Sequence, residues 1–399
     1  MTETELHTPM FPLDIPQTPD YVPEYADFRS QCPVPKVRLS EGGEAYLVTR
    51  YEDNRTVLAD PVFSRAACMD PSVQLLLEGP RIPGLVVNLD LPEHTRLHRL
   101  TVRAFSIAAV ARLRPRLKAI ANELVDAMLE SGPPVDFVTS FGTPFPTRVI
   151  FEIFGVPRED VEMLMGWLTQ ILSYGRYSVE EQASAFQSTM NYFAALVARK
   201  RQDPGDDLTS ALVAAHDRGE PFTEEELVSL IWVHVSAGSV AASNILPNTI
   251  LTFSRHREQW DLLRRRPELL PSAVEECLRF VAAATTSFER MAMEDVELSG
   301  TPVPAGSVII PVLRSANFDE SVYTDSERFD ITRAESAHLG FGHGPHRCTG
   351  AQLGTAELEI ALATFLERMP DLRVAVSESE LEWDNGVAMR RQLRMPVTW

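Results

Sequence analysis

Cysteines are scarce in this chain, and none lies in a spacing typical of a metal site or a disulfide framework. The 399 residues contain four of them, at Cys32, Cys68, Cys277 and Cys348. Scattered single cysteines are typical of a reducing compartment, so we expect a cytoplasmic protein. The absence of a Cys-x-x-Cys pair argues against a structural zinc site.

Long hydrophobic runs and positive charge are also lacking. No run of about 18 apolar residues occurs, so we expect no transmembrane helix. The N-terminal segment shows no basic stretch followed by an apolar one, so we expect no signal peptide. Asp and Glu number 56 against 37 Lys and Arg. The resulting formal charge of −19 argues against nucleic acid or an anionic membrane as a partner.

The apolar content is high enough for a large buried core. Hydrophobic residues make up 44% of the chain, and no shift in composition or long linker divides it. We therefore predict a single domain over 1–399, with a Pro-rich segment, 1–35, packed on it or trailing from it.

Helical periodicity dominates the middle of the chain. It extends from about 92 to 205, with breaks near 132–134 and 155–157. Thr223, followed by three glutamates, predicts a long helix whose first turn is closed by a capping box with Glu226. Short β-like runs follow a further helix near 271–280. The pattern predicts a mainly α fold with small β-sheets.

The segment 341–350 holds the most informative cysteine. It reads Phe-Gly-His-Gly-Pro-His-Arg-Cys-Thr-Gly, and a helical pattern follows from Ala351. A thiolate at Cys348 would be stabilised by the positive end of that helix and by nearby backbone N–H groups. Glycines at 342, 344 and 350 let the backbone approach a flat, bulky group closely. A thiolate ligand to a haem iron needs this arrangement.

Two other interpretations of the same residues remain open. Cys348 could form a zinc cluster with His338, His343 and His346, although the paired spacing of structural zinc sites is missing. It could also be an inert residue packed beside the helix.

The pattern Phe-x-x-Gly-x-x-x-Cys-x-Gly, with His346 two residues before the cysteine, resembles the haem-binding loop of the cytochrome P450 family. The resemblance covers essentially the whole chain and implies that family's mainly α fold. It also implies a haem b cofactor between the long central helix and the cysteine loop. Cys348 would be the iron ligand, with Phe341 and Gly350 beside the haem.

Glu276 and Arg279 are spaced to lie on one face of a helix, where they can form an ion pair. Taken alone, such a pair is usually a weak, solvated surface contact. The resemblance implies instead a buried pair, joined by Arg328, that locks the loop carrying Cys348. A structural role is expected for all three residues.

Haem propionates need cationic or hydrogen-bonding partners. The resemblance implies His94, Arg290 and His346 for this role. The family commonly has an arginine where this chain has His98, so that contact is expected to be pH-sensitive or absent.

The long helix departs from the family pattern at 237–243, which reads Ala-Gly-Ser-Val-Ala-Ala-Ser. The family has an acid and an alcohol here that relay protons during dioxygen activation. Gly238 remains and is expected to leave room above the haem. The acid and alcohol positions hold Val240 and Ala241, whose side chains neither donate nor accept a proton.

Protons must then come from another source. Three remain open: water ordered by Ser239, Ser243 or backbone carbonyls; the side chain of Asn244; or O–H and N–H groups of the substrate. Pro247 is expected to kink the helix and free carbonyls nearby. An altered helix in a sluggish enzyme is the alternative.

The resemblance implies that substrate contacts lie on segments converging above the haem. Their side chains are mostly small or apolar, which favours a hydrophobic or aromatic substrate, although ordinary core residues look the same. The candidates are Cys68, Val86, Val233, Ala237, Ala284, Thr285 and Val387.

A basic set stands out in this acidic chain: Arg96, Arg99, Arg103, Arg112 and Arg347. The set resembles a docking surface for an acidic ferredoxin, whose approach would be steered electrostatically. No fused flavin or iron–sulfur domain is recognisable, so we expect electrons from a separate ferredoxin and ferredoxin reductase.

Segments 165–173 and 395–399 resemble the actinomycete natural-product oxidases that couple two aromatic molecules, a group that also lacks the acid and the alcohol. We therefore predict oxidative C–C or C–N coupling of phenol- or indole-bearing substrates. Hydroxylation or epoxidation of a polyketide, terpenoid or peptide intermediate is the alternative. A non-catalytic haem carrier or gas sensor, and a peroxide-driven peroxygenase, also remain open.

Overall fold

Helices make up most of the regular structure. The computed structural model describes residues 8–13, 21–40, 42–76, 81–82, 84–172, 176–281, 284–335, 337–384 and 391–399. Within these ranges the helices are α1 (Pro23–Gln31), α2 (Tyr51–Ala59), α3 (Glu93–Val102), α4 (Ile107–Ser131), α5 (Pro144–Ile153), α6 (Val161–Ile171), α7 (Val179–Gln202), α8 (Leu208–Asp217), α9 (Glu224–Arg255), α10 (Arg257–Arg265), α11 (Leu270–Phe280), α12 (Leu313–Ala316) and α13 (Ala351–Arg368).

The strands are short and form small sheets. They are β1 (Met10–Phe11), β2 (Lys36–Leu39), β3 (Glu44–Val48), β4 (Phe63–Ser64), β5 (Val135–Asp136), β6 (Arg290–Ala292), β7 (Val296–Leu298), β8 (Thr301–Val303), β9 (Val308–Pro311), β10 (Arg373–Val374), β11 (Glu382–Asp384), β12 (Arg391–Arg394) and β13 (Pro396–Thr398). The largest sheet has the order β1-β2-β3-β9-β6-β4, in which β1 and β2, and β3 and β9, are parallel. The others have the orders β10-β13-β5, β11-β12 and β7-β8. The predicted mainly α fold with small sheets is confirmed.

The long helix α9 runs through the middle of the helical body and packs against α5, α7 and α8. Its start follows from the sequence. The Thr223 hydroxyl accepts the N–H of Glu226 at 3.1 Å, and the Glu226 carboxylate accepts the N–H of Thr223 at 2.8 Å. This reciprocal capping box satisfies N–H groups that the first turn leaves unpaired, and it confirms the predicted helix start.

Pro247 lies inside α9, and the helix continues past it to Arg255. The pyrrolidine ring packs against Gly142, in a π-helical turn over Val138–Gly142. A Cβ on Gly142 would lie 2.9 Å from Pro247 Cγ. The missing side chain at 142 therefore makes room for the proline in the core.

Length and apolar composition alone would allow α9 to cross a membrane, since an 18-residue window has a mean hydropathy of 1.3. However, 56% of that window is buried inside the protein. Core helices of soluble proteins share both properties, so the feature is weak support for a membrane span. Among the described helices, only α9 is long and apolar enough to cross a membrane.

Candidate functional site

The cysteine loop joins the irregular segment after α12 to the start of α13. The Cys348 N–H donates to the carbonyl of Phe341 at 2.9 Å, which closes the loop. Gly342 and Gly344 have φ angles of +68° and +70°, a region that favours glycine. A Cβ on Gly344 would also overlap the carbonyl oxygen of Leu58 in α2. Gly350, at φ −82°, needs no such freedom.

The side chain of Cys348 has accessible surface, yet protein surrounds it closely. Burial raises the pKa of its thiol, against the opposing effects of the Gly350 N–H and the Arg347 charge. The sulfur therefore keeps accessible surface within closely packed surroundings. A hollow of about 540 Å³ borders this position, with His98, Phe105 and Thr349 among its lining residues.

A buried ion pair fixes the segment that leads into this loop. Arg279 donates from Nε to Glu276 Oε2 at 2.7 Å and from Nη2 to Oε1 at 2.8 Å. Its Nη1 donates to the carbonyls of Asn317 and Ser326 at 2.8 and 3.0 Å. The side chain of Asn317 then accepts the N–H of Leu339 at 2.7 Å, two residues before the loop begins. The predicted pairing of Glu276 with Arg279 is confirmed.

The prediction that Arg328 joins this pair is wrong. Its side chain is 63% exposed and lies 3.5 Å from Asp330. The buried partner is Arg333, only 6% exposed, whose Nε lies 3.2 Å from Glu276 Oε2. Arg333 also donates to the backbone carbonyl of Arg328 at 2.9 Å, so 328 contributes its main chain rather than its charge.

The residues predicted to bind carboxylates lie together. The rings of His94 and His346 are 4.2 Å apart, and those of His94 and His98 are 5.1 Å apart. Burial and the nearby Arg290 charge lower the pKa of His346 to about 3, and burial, His98 and Arg290 lower that of His94 to about 4. Burial lowers the pKa of Arg290 to about 10. Such a concentration of buried donors and positive charge is suited to bind carboxylate groups.

One member of this cluster was missed in the sequence. Arg65, which follows β4, is 5% exposed, and its charge contributes to lowering the pKa of both Arg290 and His346. Its Nε is buried and has no hydrogen-bond partner among the described residues. No motif marks the residue, because its placement depends on the pairing of β4 with β6.

His98 has a second neighbour on the cysteine loop. Its Nε2 lies 3.1 Å from the Thr349 hydroxyl, and burial lowers the pKa of the ring. The prediction of a pH-sensitive contact at this position remains a prediction.

On α9, Ala237 is exposed and Gly238, Val240 and Ala241 are half-buried, although most of the helix is buried. The expectation that Gly238 leaves room above a haem stays a prediction, and the structure gives the residue a packing role besides. A Cβ there would lie 2.7 Å from Ile150 Cγ1 and 2.9 Å from its Cδ1. The glycine therefore allows α9 to pack closely against α5.

The accessible surface of Ala237, Val240 and Ala241 is called the groove below, and the polar groups beside it mostly bond within their own helix. Ser239 is fully buried, and its hydroxyl donates to the Val235 carbonyl one turn back, which argues against the prediction that it orders water. The Ser243 hydroxyl donates to the Ser239 carbonyl at 2.5 Å. Asn244 is 3% exposed, and its Nδ2 has no acceptor in the part of the chain that the structure describes. Asn244 is therefore the free polar side chain closest along the helix to Val240 and Ala241.

The predicted substrate contacts differ in what they can touch. Cys68 has no accessible surface, and its Sγ lies 3.7 Å from the Ser64 carbonyl, so the prediction for this residue is wrong. Val86 and Val233 are buried, whereas Ala284 and Thr285 are half-buried. Val387 lies outside the described residues.

Comparison with known proteins identifies the family. A sequence profile for "Cytochrome P450" matches residues 252–370. Mycinamicin IV hydroxylase/epoxidase of Micromonospora griseorubida is 39% identical over 376 residues, which are 94% of each chain. Nocardicin C N-oxygenase of Nocardia uniformis subsp. tsuyamanensis is 39% identical over 407 residues, which are 100% of each chain.

The chain belongs to the cytochrome P450 family. The solved structure of a cytochrome P450 described as having biaryl coupling reactivity superposes with a TM-score of 0.92. It is 32% identical and covers 98% of this chain and 100% of its own. This P450 is accordingly an oxidoreductase of the monooxygenase type, in a family that uses haem.

The residues of this P450 fit a haem. The Cys348 sulfur keeps accessible surface although protein surrounds it closely, and Ala237, Val240 and Ala241 expose surface on a mostly buried helix. The buried side chains of His94, Arg290 and Arg65, one of which has an unpaired N–H, and the half-buried His346 suit the two propionates.

Substituting Arg333 and Arg328 separately tests which arginine supports the cysteine loop of this P450. We expect Arg333→Gln to lower the free energy of unfolding by about 3 kcal/mol, since it removes one partner of a buried ion pair. Arg328→Gln is the matched control and should change it by less than about 0.5 kcal/mol. Urea unfolding and the haem content per chain measure both effects. Equal losses in the two variants would contradict the assignment.

Substituting Gly238 tests whether it faces Ile150 or the open groove. Gly238→Ala should destabilise the P450 by about 1–3 kcal/mol through overpacking. In the Ile150→Ala background the same change should cost much less, because the clashing atoms are gone. Unfolding of the single and double variants measures this coupling. A fully stable Gly238→Ala protein with impaired binding of iron ligands would show that the glycine faces the groove.

Proposed function

We propose that this P450 binds haem b through Cys348 and couples two phenol- or indole-bearing rings in secondary-metabolite biosynthesis. The whole chain would act as one cytoplasmic haem-thiolate domain. The observation that carries the proposal is the apolar character of the groove on α9. Its surface comes from Ala237, Val240 and Ala241, none of which can move a proton through its side chain.

In this proposal Cys348 binds the iron, and His94, Arg290 and His346 hold the propionates. Bound haem with a thiolate ligand supplies oxidising power drawn from dioxygen and externally delivered electrons. The apolar groove keeps water away from the substrate rings. Asn244, with its unpaired Nδ2, is the protein group that could orient a substrate oxygen or a water molecule.

Aromatic coupling suits such a groove because it takes one hydrogen atom from each of two rings and adds no oxygen to the product. A phenol O–H or an indole N–H can itself supply protons that the side chains of α9 do not. The biaryl coupling reactivity of a structural relative with a TM-score of 0.92 also supports this reaction.

Oxygen insertion is the second candidate. It is favoured by the hydroxylase/epoxidase and the N-oxygenase, each 39% identical to this chain. In that case a substrate hydroxyl or amine would assist proton delivery in the same groove. The two reactions differ in product composition rather than in the residues they require.

We further propose that an acidic ferredoxin, itself reduced by a ferredoxin reductase, docks beside the cysteine loop. The side chains of Arg99, Arg103, Arg112 and Arg347 are exposed there, without ion-pair partners among the described residues. They accompany an apolar patch in which Ile107 is 72% exposed. Arg96 does not belong to this surface, because Glu226 pairs with it at 2.6 Å.

Product masses decide between the two reactions. With a panel of phenols and indoles, reduced ferredoxin and ¹⁸O-labelled dioxygen, we expect dimers whose mass is that of two monomers less two hydrogens. These dimers should contain no label. Products that gain one labelled oxygen would overturn coupling and support insertion.

The variant Val240→Asp/Ala241→Thr is the control for proton delivery. If the substrate supplies the protons, restoring an acid and an alcohol should change the rate of coupling little. A sharp rise in dioxygen-dependent turnover with unchanged products would contradict substrate assistance.

Charge reversal tests the docking surface. Arg103→Glu/Arg112→Glu should slow reduction by ferredoxin on the order of tenfold at low salt, and less at high salt because the attraction is screened. Arg265→Glu, an exposed arginine of α10, is the control and should leave the rate unchanged. Stopped-flow kinetics measures the reduction. An equal effect of the control would show a general response to charge.

A further inference from the structure

Arg65 is a buried arginine held by contacts from separate parts of the chain. Its Nη2 donates to Asn88 Oδ1 at 2.8 Å, and its Nη1 lies 3.6 Å from Glu289 Oε2. The guanidinium lies 4.9 Å from the ring centroid of Phe288. The backbone N–H of Arg65 donates to Asp90 Oδ1 at 2.8 Å. A buried guanidinium is stable only where such partners are present.

These contacts leave the Nε–H unused. The Nε of Arg65 is buried and has no hydrogen bond of acceptable geometry among the described residues, although the Cys68 thiol, a weak acceptor, lies close to the guanidinium. An unpaired guanidinium N–H is costly inside a protein, so an acceptor that the chain itself does not supply is expected there. The charge of Arg65 reaches Arg290 and His346, which are proposed to hold the haem propionates. A propionate carboxylate is the acceptor that fits this position.

The Nη2 group of Arg65 contacts the chain between β4 and α3. Asn88, which accepts from Nη2, also donates to the Ile82 carbonyl at 2.9 Å. The turn Val86–Asn88 that contains it packs against α9, the helix of the groove. Glu289, the other partner of Arg65, accepts the N–H of Leu76 at 3.0 Å. Arg65 is thus connected to this segment at two points.

We infer that Arg65 is a positioning residue that donates its Nε–H to a haem propionate while its Nη groups hold Asn88 and Glu289. The seated haem then orders the described parts of 66–90, which are 66–76, 81–82 and 84–90 and include the turn Val86–Asn88 that packs against α9. This inference rests on the proposed placement of haem. It adds a specific link between retention of the cofactor and order on the substrate side.

Arg81 provides a matched control within the same segment. Its guanidinium donates to the carbonyls of Cys68, at 3.1 Å, and of Asp70 and Val73. It therefore stabilises the segment, and among the described residues its hydrogen bonds do not involve His94, Arg290 or His346. Loss of Arg81 should loosen part of the segment and leave the hold on haem unchanged.

The experiment uses the holoenzyme and two measurements. The rate of haem transfer to excess apomyoglobin measures retention of the cofactor, and hydrogen exchange followed by mass spectrometry measures order in 66–90. Arg65→Gln should raise the transfer rate on the order of tenfold, as expected for a lost charge-assisted hydrogen bond, and should speed exchange. Arg65→Lys, which keeps the charge but lacks the planar fork, should lie between this variant and the wild type. Arg81→Gln should speed exchange alone.

Arg290→Gln separates failure of this inference from failure of the proposed haem site. If Arg290→Gln speeds haem transfer and neither Arg65 variant does, the inference is overturned and the haem placement stands. If none of these variants changes the rate, the placement itself fails. Faster transfer from Arg65→Gln with unchanged exchange in 66–90 would also overturn the link. Should Arg65→Gln not fold, Arg65→Lys decides by the same two measurements.

Discussion

The position of Cys348 depends on one buried carboxylate. Glu276 faces Arg279 and Arg333 at hydrogen-bonding and ion-pair distances, and it also accepts the N–H of Asp330 at 2.9 Å. Taking these charges out of water is costly unless every donor and acceptor is paired. The arginines meet that condition by donating to backbone carbonyls of the irregular chain after α12. A segment with little regular structure thereby acquires a single conformation, and through Asn317 and Leu339 it delivers the cysteine loop to its place.

The two sides of the site differ in physical character. On the cysteine side, glycines with positive φ, histidines and buried arginines make a polar and tightly constrained wall. On the α9 side, the surfaces of Ala237, Val240 and Ala241 are apolar, and the serine hydroxyls are turned back onto their own helix. The first arrangement suits retention of a charged cofactor. The apolar α9 side leaves the substrate itself as a principal source of polar groups above the cofactor.

Local patterns allowed much of this site to be predicted from sequence. The capping box of α9, the pairing of Glu276 with Arg279, and the grouping of His94 with His346 each follow from short spacings or from family motifs. Arg333 could not be distinguished from Arg328, because no periodicity in an irregular segment tells which side chain turns inward. Arg65 was missed because only the pairing of distant strands places it.

The packing role of Gly238 in α9 could not be predicted from the sequence either. A helix pattern reports which face is apolar but not which neighbour approaches most closely, so the contact between Gly238 and Ile150 was invisible in the sequence. For Cys68 the sequence suggested a contact that the structure does not have. Its segment was expected to line the substrate space, whereas its own side chain is fully enclosed.

The packing role of Gly238 has a consequence for how this enzyme can change over generations. The glycine is constrained by its close approach to Ile150, while the side chains at 240 and 241, two and three residues further on, are only half-buried. Mutations at 240 and 241 can therefore alter chemistry at a small cost to folding. The adjacency of a constrained position and two permissive ones makes this turn of α9 a favourable place for a lineage, or for laboratory selection, to explore new oxidations.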